Sequence, residues 1–324
     1  MIYDKIVIVV KKTAQEELVE KMGNIGQAQY MLRQAKARHA PETKGLDFEE
    51  YNSEDVNYHT ALERIKNCIP PSVRMQIIER TFLTNFTFGQ NEIVLTLGAD
   101  GLVVNTAKYL TGQPILAVNP DPSTIEGVLL PFSIHQIDSK MITRALSGNM
   151  NQKSITMAKA TLDDGQSIYA VNDLFIGKKN HTSAKYRIEW NDLSENHSSS
   201  GLIISTGAGS TGWYRSLISG ARTISAQFSG DDYEPPKQTA EESRFEWDAS
   251  ELRFCVREPW PSRNTGANLV WGSIDEKTPM TIISQMPQDG VIFSDGVDSD
   301  YLEFNSGAVA KVEIAEKQVT LLCF

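Results

Sequence analysis

The spacing of apolar and polar positions differs between the two halves of this chain. In the first half, short apolar runs alternate with segments at helical spacing. The runs predict strands at Lys5–Val10, Val73–Ile78, Ile93–Leu97 and Ile115–Val118. The other segments predict helices at Thr13–Met22, at Ile25–Arg38, from Asp55 or Asn57 to Cys68, and from Leu102 to Leu110. Strands that alternate with helices form parallel sheets. We therefore predict an α/β domain with a mostly parallel, doubly wound sheet over residues 1–130.

From about Ser133 the helical spacing gives way to successive strand-like runs joined by short polar links. These runs are Lys153–Leu162, Gln166–Gly177, Ala184–Asn191, Ser200–Thr206, Leu252–Val256, Met280–Gln285, Val291–Ser294, Tyr301–Phe304 and Val309–Ile314. We predict a β-rich second domain over residues 131–324, with the extreme C-terminus packing back on the first domain. Gly230–Glu246 is acidic and contains two prolines, so it is predicted to be an exposed excursion.

Charge and composition indicate which partners and which compartment to expect. A formal net charge of −10 argues against nucleic-acid binding, which normally needs a basic face. The three cysteines, Cys68, Cys255 and Cys323, are widely spaced, as is usual in a reducing compartment. The first apolar run, Ile6–Val10, is too short for a signal sequence or a membrane span. These features predict a cytoplasmic protein without membrane contact.

The first candidate site is the glycine loop Gly98-Ala99-Asp100-Gly101, which lies between a predicted strand and a predicted helix. A helix that begins at such a turn presents free backbone N–H groups, and phosphates bind there. Asp100 adds a carboxylate that can hold a hydroxyl group for attack on a phosphoryl group. The alternative is an ordinary turn in which Asp100 caps the helix.

A second glycine loop, Gly207 to Gly212, matches the Rossmann pattern G-x-G-x-x-G. That interpretation is disfavoured because the loop lies in the β-rich half and the following helix is predicted to end near Gly220. The acidic residue at the required spacing, Asp231, falls in the polar excursion. The loop is nevertheless predicted to let a ligand approach the backbone and to offer hydroxyl groups from Ser210, Thr211 and Tyr214.

The polar pair Asn172-Asp173 interrupts an apolar run. Buried polar residues need partners, so the pair indicates either ligand binding or a bulge in the strand. Asn119 and Asp121, which follow another predicted strand, are further candidates for a site at the carboxyl ends of the strands.

Taken together, several separated motifs resemble the NAD kinase family, most closely its mitochondrial-type branch and the bacterial relatives of that branch. The motifs occur in the family's order over about Lys5 to Ile314. They are LGADG (from Leu97), AVNPDPSTIEG (from Ala117), AVNDLFIG (from Ala170), SSGLIISTGAGSTGW (from Ser199), VREP (from Val256) and LEFNSGAVA (from Leu302).

The resemblance implies an α/β domain followed by a β-rich domain, and phosphoryl transfer from ATP, with Mg²⁺ carried by ATP, to the 2′-hydroxyl of the adenosine ribose of NAD. Asp100 would be the catalytic residue, and the backbone of Gly98, Ala99 and Gly101 would face the phosphates. The residues that would bind NAD are Asn172, Asp173, Thr206, Gly207, Gly209, Ser210, Thr211, Trp213 and Tyr214. No protein-bound metal is expected. A homodimer or larger homo-oligomer is implied.

Two departures from the family pattern bear on activity. Ala99 stands where the family has glycine, which would cost about 1 kcal/mol if the backbone there needs a positive φ. Asp173 stands where glutamate is usual and cannot reach as far. Two alternatives therefore stay open: a kinase acting on a sugar, nucleoside or lipid, and a non-catalytic dinucleotide-binding module.

Overall fold

The structure, a computed structural model, describes residues 2–38, 47–229, 243–297 and 300–324. The chain divides into two compact units, Met1–Gln152 with Leu321–Phe324 and Lys153–Thr320. The sequence analysis placed this division at residue 130. Residues 230–242 of the predicted excursion lie outside the described residues, whereas Ser243 and Phe245 at its end are buried.

The first unit is an α/β domain built on a parallel sheet. Its strands are β1 (Lys5–Val10), β2 (Arg74–Glu79), β3 (Glu92–Leu97), β4 (Ile115–Asn119) and β5 (Phe132–Ser133). Its helices are α1 (Ala14–Met22), α2 (Ile25–Arg38), α3 (Phe48–Cys68), α4 (Asp100–Ala107) and α5 (Ser139–Leu146). The strand order is β5-β4-β3-β1-β2, and every neighbouring pair is parallel.

The apolar runs form these strands because both faces of the sheet are covered. Every residue of β3 and β4 is buried, as expected for a parallel sheet with helices on its faces. One core cluster joins strand residues such as Leu95 and Val118 to α3 and α5 through Ile65 and Ile142. The C-terminal residues also reach this unit, since Leu321 pairs with Ile115.

Capping side chains set the helix boundaries. Thr13 caps α1 in a capping box with Glu16. Asp47 accepts a hydrogen bond from the Glu49 N–H group, so α3 begins at Phe48. The predicted start at Asp55 or Asn57 was therefore wrong. Asp138 caps α5. This helix was not predicted, because the segment after Ser133 was interpreted as a series of strands.

The second unit is β-rich. Its strands are β6 (Asn151–Leu162), β7 (Ser167–Ala170), β8 (Asp173–Lys178), β9 (Ala184–Trp190), β10 (Leu193–Ser199), β11 (Leu202–Ser205), β12 (Leu252–Val256), β13 (Trp271–Ile274), β14 (Met280–Ser284), β15 (Gly290–Ser294), β16 (Tyr301–Glu303) and β17 (Val309–Cys323). Its helix is α6 (Trp213–Ser229). Strands β10-β9-β14-β17 lie side by side, with β6 and β7 following β17, and a second sheet has the order β13-β12-β11-β8-β15-β16.

A single hydrophobic core joins the two sheets of this unit. Tyr186 and Ile282 come from the first sheet, and Ile176 and Phe254 from the second. Alternate residues of β12 and β14 face this core, the pattern expected of antiparallel strands with one buried face. These alternating runs are the ones that the sequence predicted.

The fold class predicted from the sequence is confirmed: an α/β unit with a parallel sheet and a β-rich unit. Two strand predictions were incomplete, since the run Gln166–Gly177 is broken at Val171 and Asn172 and β17 continues to Cys323. Strands β5, β10 and β13 were missed. The sequence of β10, LSENHSS, is polar and gives no apolar alternation. Among the described helices, none combines the length and apolar character required to cross a membrane.

Tyr58 connects α3 to two strand ends of the first unit. Its hydroxyl accepts a hydrogen bond from the Lys11 N–H group and donates one to the Leu97 carbonyl, both at 3.0 Å. Burial raises the pKa of Tyr58 to about 12, so the hydroxyl stays protonated. Because Leu97 precedes Gly98, this contact fixes the end of β3 where the first glycine loop begins.

We expect Tyr58→Phe to lower the free energy of unfolding by about 1–2 kcal/mol, because two buried backbone groups lose their partner. Urea unfolding measures the loss. Tyr30→Phe is the matched control, since Tyr30 is 62% exposed. Equal midpoints for the two variants would contradict this role of Tyr58.

Candidate functional site

The loop that carries Asp100 joins β3 to α4. Gly98 is buried and its N–H group donates to the Val118 carbonyl of the neighbouring strand at 3.2 Å. Helix α4 begins at Asp100, and the Leu102 N–H group donates to the Ala99 carbonyl at 2.9 Å. The N–H groups of the first helical turn have no partner within a helix. Gly101 is exposed, and a methyl group added there would meet no atom within 4 Å.

Ala99 has an extended backbone, with φ −81° and ψ 171°. An L-residue adopts this conformation without strain, because the cost of a side chain arises at positive φ. Alanine at this position therefore carries no conformational penalty. Leu102, in the first turn of α4, is buried and packs against Gly98.

The Asp100 carboxylate is half-buried and contacts a second loop. Its Oδ2 accepts a hydrogen bond from the Val128 N–H group at 2.8 Å, and its Oδ1 accepts one from Leu129 at 3.0 Å. Burial raises the pKa of Asp100 above its ordinary value, and the two N–H groups partly oppose this shift. Asp100 is thus held in place and is a stronger base than an exposed aspartate.

Gly127 makes this contact possible. A methyl group added at Gly127 would lie 2.7 Å from Asp100 Oδ1 and 2.4 Å from Leu130 Cδ1. A larger residue would therefore displace either the loop or the carboxylate. Gly127 lies within the motif from Ala117, yet the sequence analysis assigned it no role.

Asn119 and Asp121 organise the loop after β4. Asn119 is buried, donates to the Ile125 carbonyl at 2.8 Å and accepts from the Asp121 N–H group at 3.0 Å. Asp121 accepts from the Ser123 hydroxyl at 2.5 Å and from its N–H group at 3.1 Å. The Ser123 hydroxyl is the main cause that lowers the pKa of Asp121. Both side chains therefore have partners within their own loop.

In the second unit, Asn172 and Asp173 lie at the break between β7 and β8. The Asp295 carboxylate accepts hydrogen bonds from three consecutive N–H groups, those of Val171 at 3.0 Å, Asn172 at 2.7 Å and Asp173 at 3.2 Å. Asp295 also donates its own N–H group to the Asp173 carbonyl at 3.0 Å. The break in the strand is therefore a defined structure, and Asp295 holds it.

Asp173 is the residue of this region with the most strongly shifted acidity. Burial, followed by the nearby charge of Asp295, raises its pKa to about 7. Two close carboxylates in a low-dielectric environment resist joint ionisation. Asp173 therefore exchanges a proton near neutral pH, as is common for residues in functional sites.

Thr206 joins the second glycine loop to the strand break. Its hydroxyl donates to the carbonyl groups of Val171 and of Asn172, and its N–H group donates to the Asn172 carbonyl at 2.9 Å. The Gly209 N–H group in turn donates to the Thr206 hydroxyl at 3.2 Å. The residues predicted to bind one ligand, Asn172 and Thr206, are thus in direct contact.

The glycines of this loop are required by the chain itself. A methyl group at Gly209 would lie 2.0 Å from the Asn172 carbonyl oxygen, and one at Gly207 would lie 1.9 Å from that of Glu246. Ser210 is also buried, and its hydroxyl donates to the Gly207 carbonyl at 2.6 Å. The groups that approach the backbone of Gly207 and Gly209 belong to the protein, and the approach of a ligand to this loop stays a prediction.

The structure excludes the Rossmann interpretation of Gly207–Gly212. The preceding strand, β11, is antiparallel to both β8 and β12, whereas the Rossmann fingerprint requires a parallel βαβ unit. The prediction that the following helix ends near Gly220 was wrong, since α6 runs to Ser229. Asp231 lies outside the described residues.

The two aromatic residues after this loop have different environments. Tyr214 is 2% exposed and its hydroxyl accepts from Trp271 Nε1 at 2.7 Å. Trp213 is 37% exposed. Its ring stacks on Phe175 at 5.6 Å, and the Arg257 guanidinium lies 4.9 Å from its centre. Thr211 is half-buried at the end of a short 3₁₀ helix. Trp213 therefore presents a partly exposed aromatic surface beside a cation.

Sequence reasoning missed the partners that hold both aspartates. Asp295 was detectable, because Asp295-Gly296 follows the predicted strand Val291–Ser294 and such pairs mark turns. The N–H groups of Val128 and Leu129 were not detectable, because every residue except proline carries a backbone N–H group.

Comparison with known proteins identifies the fold. No protein-family model and no curated protein matches the sequence. Among solved structures, the chain is similar to yeast NADH kinase in complex with NADH, with a TM-score of 0.56 and 14% sequence identity. The alignment covers 99% of this chain and 83% of that one. At this identity the similarity shows a shared fold, the NAD kinase-like fold of an α/β and a β-rich domain.

The raised pKa of Asp173 predicts how stability depends on pH. Between its ordinary value of 3.8 and about 7, the folded chain holds this proton more tightly than the unfolded chain does. Its contribution to stability is therefore complete below about pH 4 and lost as the pH rises toward 7. We expect Asp173→Asn to stabilise the protein at pH 8 by at least about 1 kcal/mol and at pH 4 by much less.

Urea unfolding at both pH values tests this expectation. Asp248→Asn is the control, because it removes the same charge from an exposed position. A pH-independent difference between Asp173→Asn and the unsubstituted protein would contradict the assigned protonation.

A second prediction concerns Asp295. Asp295→Ala leaves three N–H groups without their acceptor, so we expect a loss of about 2–4 kcal/mol in the free energy of unfolding. Asp289→Ala is the matched control, because Asp289 has φ 61° against 54° for Asp295 and its side chain accepts from the exposed Asn180 amide. If both substitutions destabilise the protein equally, backbone strain explains the loss and the hydrogen bonds do not.

Proposed function

We propose that this chain is an ATP- and Mg²⁺-dependent kinase that transfers a phosphoryl group to the 2′-hydroxyl of the adenosine ribose of NAD, giving NADP. The observation that carries the proposal is the environment of Asp100. A half-buried carboxylate with a raised pKa stands at the first residue of a helix, beside backbone N–H groups at the carboxyl end of a parallel strand. The fold shared with a NADH kinase supports it.

Asp100 would orient the acceptor hydroxyl and take its proton. Each of its carboxylate oxygens accepts one N–H group, from Val128 or from Leu129. A carboxylate oxygen has a second acceptor position, so a substrate hydroxyl can still bind. The raised pKa favours proton transfer to this carboxylate as the hydroxyl attacks the phosphoryl group.

The phosphates of ATP would bind at the start of α4. The open space at Gly101 and the N–H groups of the first turn fit an anionic group. Mg²⁺ carried by ATP would supply charge neutralisation between the phosphates and Asp100. Ala99 does not weaken this assignment, because its extended backbone suits alanine as well as glycine.

NAD would bind through the β-rich unit. Asn172 and Asp173 would contact ribose hydroxyls, and Asp295 would keep their backbone in place. Trp213, with its partly exposed ring, offers a stacking surface for an aromatic base. The loop from Thr206 to Thr211 and Tyr214 would shape the site, since the hydroxyls of Thr206, Ser210 and Tyr214 have partners within the protein.

A homodimer or larger homo-oligomer also stays a prediction. Helix α6 carries Ile224 and Phe228 at 59% and 88% exposure. Large apolar side chains at such exposure are typical of surfaces that bind a partner.

Purified protein incubated with ATP, Mg²⁺ and either NAD or NADH tests the proposal, with product identified chromatographically. We expect NADP or NADPH to form, and we expect Asp100→Asn to lower the rate by at least about 100-fold, the lower end for a lost general base. Asp164→Asn is the control with nearly unchanged activity, because Asp164 is exposed in the turn between β6 and β7 and accepts hydrogen bonds from Gln166.

Calorimetric titration with NAD separates the alternatives. Binding retained in Asp100→Asn without turnover identifies Asp100 as catalytic. Turnover of a sugar, nucleoside or lipid in place of NAD would overturn the choice of acceptor, and NAD binding without turnover in the unsubstituted chain would indicate a non-catalytic module.

A further inference from the structure

Glu16, Asp55 and His59 form a cluster of metal-ligating groups that includes none of the residues assigned to the candidate functional site. Glu16 lies in the first turn of α1, and Asp55 and His59 are four residues apart on α3. That spacing puts both side chains on one face of the helix. One donor atom from each residue lies within 4.8 Å of the other two. Two helices therefore contribute to one constellation.

The distances in this cluster suit an ion better than direct pairing. His59 Nε2 is 3.4 Å from Glu16 Oε1 and 3.5 Å from Asp55 Oδ1. Hydrogen bonds between charged groups are shorter, about 2.7–2.9 Å. Around tetrahedral Zn²⁺, with ligand bonds of about 2.0–2.2 Å, neighbouring donors are roughly 3.4 Å apart.

Thr13 holds both carboxylates in position. Thr13 is fully buried, its N–H group donates to Glu16 Oε2 at 2.8 Å, and its hydroxyl donates to Asp55 Oδ1 at 2.5 Å. Glu16 Oε1 is thereby left facing the imidazole. The Tyr58 ring meets the His59 ring edge-on at 5.9 Å. Hydrogen bonds to ligating carboxylates, such as those from Thr13, orient ligands in metal sites.

The cluster opens onto a cavity of about 510 Å³ that Glu16 and His59 help to line. An ion could enter by this route and complete its coordination with water. Lys12, which helps to line the same cavity, pairs with Glu20 at 2.8 Å. Two carboxylates in close proximity repel each other, so a bound cation would relieve that repulsion.

We propose that Glu16, Asp55 and His59 are the ligands of a divalent transition-metal ion of the Zn²⁺ class, with a fourth position open to solvent. An imidazole nitrogen with two carboxylate oxygens suits Zn²⁺ or Co²⁺, whereas Mg²⁺ and Ca²⁺ prefer oxygen ligands alone. The ion would tie α1 to α3 and stabilise the first unit. The resemblance described in the sequence analysis implied no protein-bound metal, and Glu16 lies far from Asp55 and His59 along the chain.

Titration of the chelator-treated, full-length protein with Co²⁺ and then Zn²⁺ tests this site without ATP or NAD. We expect one equivalent of Co²⁺ with a tetrahedral visible absorption spectrum, displacement of Co²⁺ by Zn²⁺, and a rise in the thermal unfolding midpoint with Zn²⁺.

Two variants locate the ion. We expect His59→Gln and Asp55→Asn each to weaken binding by at least about tenfold. Asp55→Asn retains an oxygen that can accept from Thr13, so it tests coordination and spares the fold. His135→Gln removes an exposed histidine of the same unit and should bind normally. Absence of binding in the unsubstituted protein, or binding unchanged in both variants, would overturn the proposal.

Discussion

Backbone N–H groups outside regular secondary structure need an acceptor, and both candidate regions depend on how that need is met. Each unit meets it with an aspartate. In the first, Asp100 accepts from Val128 and Leu129. In the second, Asp295 accepts from Val171 to Asp173. Buried backbone donors are costly without partners. A carboxylate that satisfies several of them fixes a loop without regular secondary structure, and it leaves negative charge where it can act chemically.

The two aspartates serve this constraint differently. Asp100 accepts hydrogen bonds from the loop at Val128 and Leu129, and it is also the first residue of α4. Asp295 holds the strand break, and its charge helps to raise the pKa of the neighbouring Asp173. Burial raises the pKa of both Asp100 and Asp173, and only at Asp173 does a neighbouring charge add to the shift. A single-residue change in either loop would alter both geometry and acidity.

The sequence predicted what is encoded locally. Ile93–Leu97 is apolar except for Thr96 because both faces of its sheet are covered, and Asp100 follows at a glycine turn. Strand and candidate residue were therefore both identifiable. Strand β10 was not, because the polar residues of Leu193–Ser199 show no apolar alternation. The pairing of Asp295 with Asn172 joins residues far apart in the chain, so the sequence did not reveal it. The donors of Val128 and Leu129 are backbone N–H groups, and the side chains of these two residues have no polar atom that would mark them as partners. The contact between Glu16 and His59 was also not predicted, because these residues too are far apart in the chain.

The conformation of Ala99 has a consequence for how distant relatives are detected. With φ −81° the backbone at this position does not require glycine, whereas Gly207 and Gly209 leave no room for even a methyl group. A sequence profile that requires glycine equally at positions 99, 207 and 209 would reject chains that keep the same fold. A profile that requires glycine at positions 207 and 209 but accepts other residues at position 99 would follow the steric requirements of the molecule.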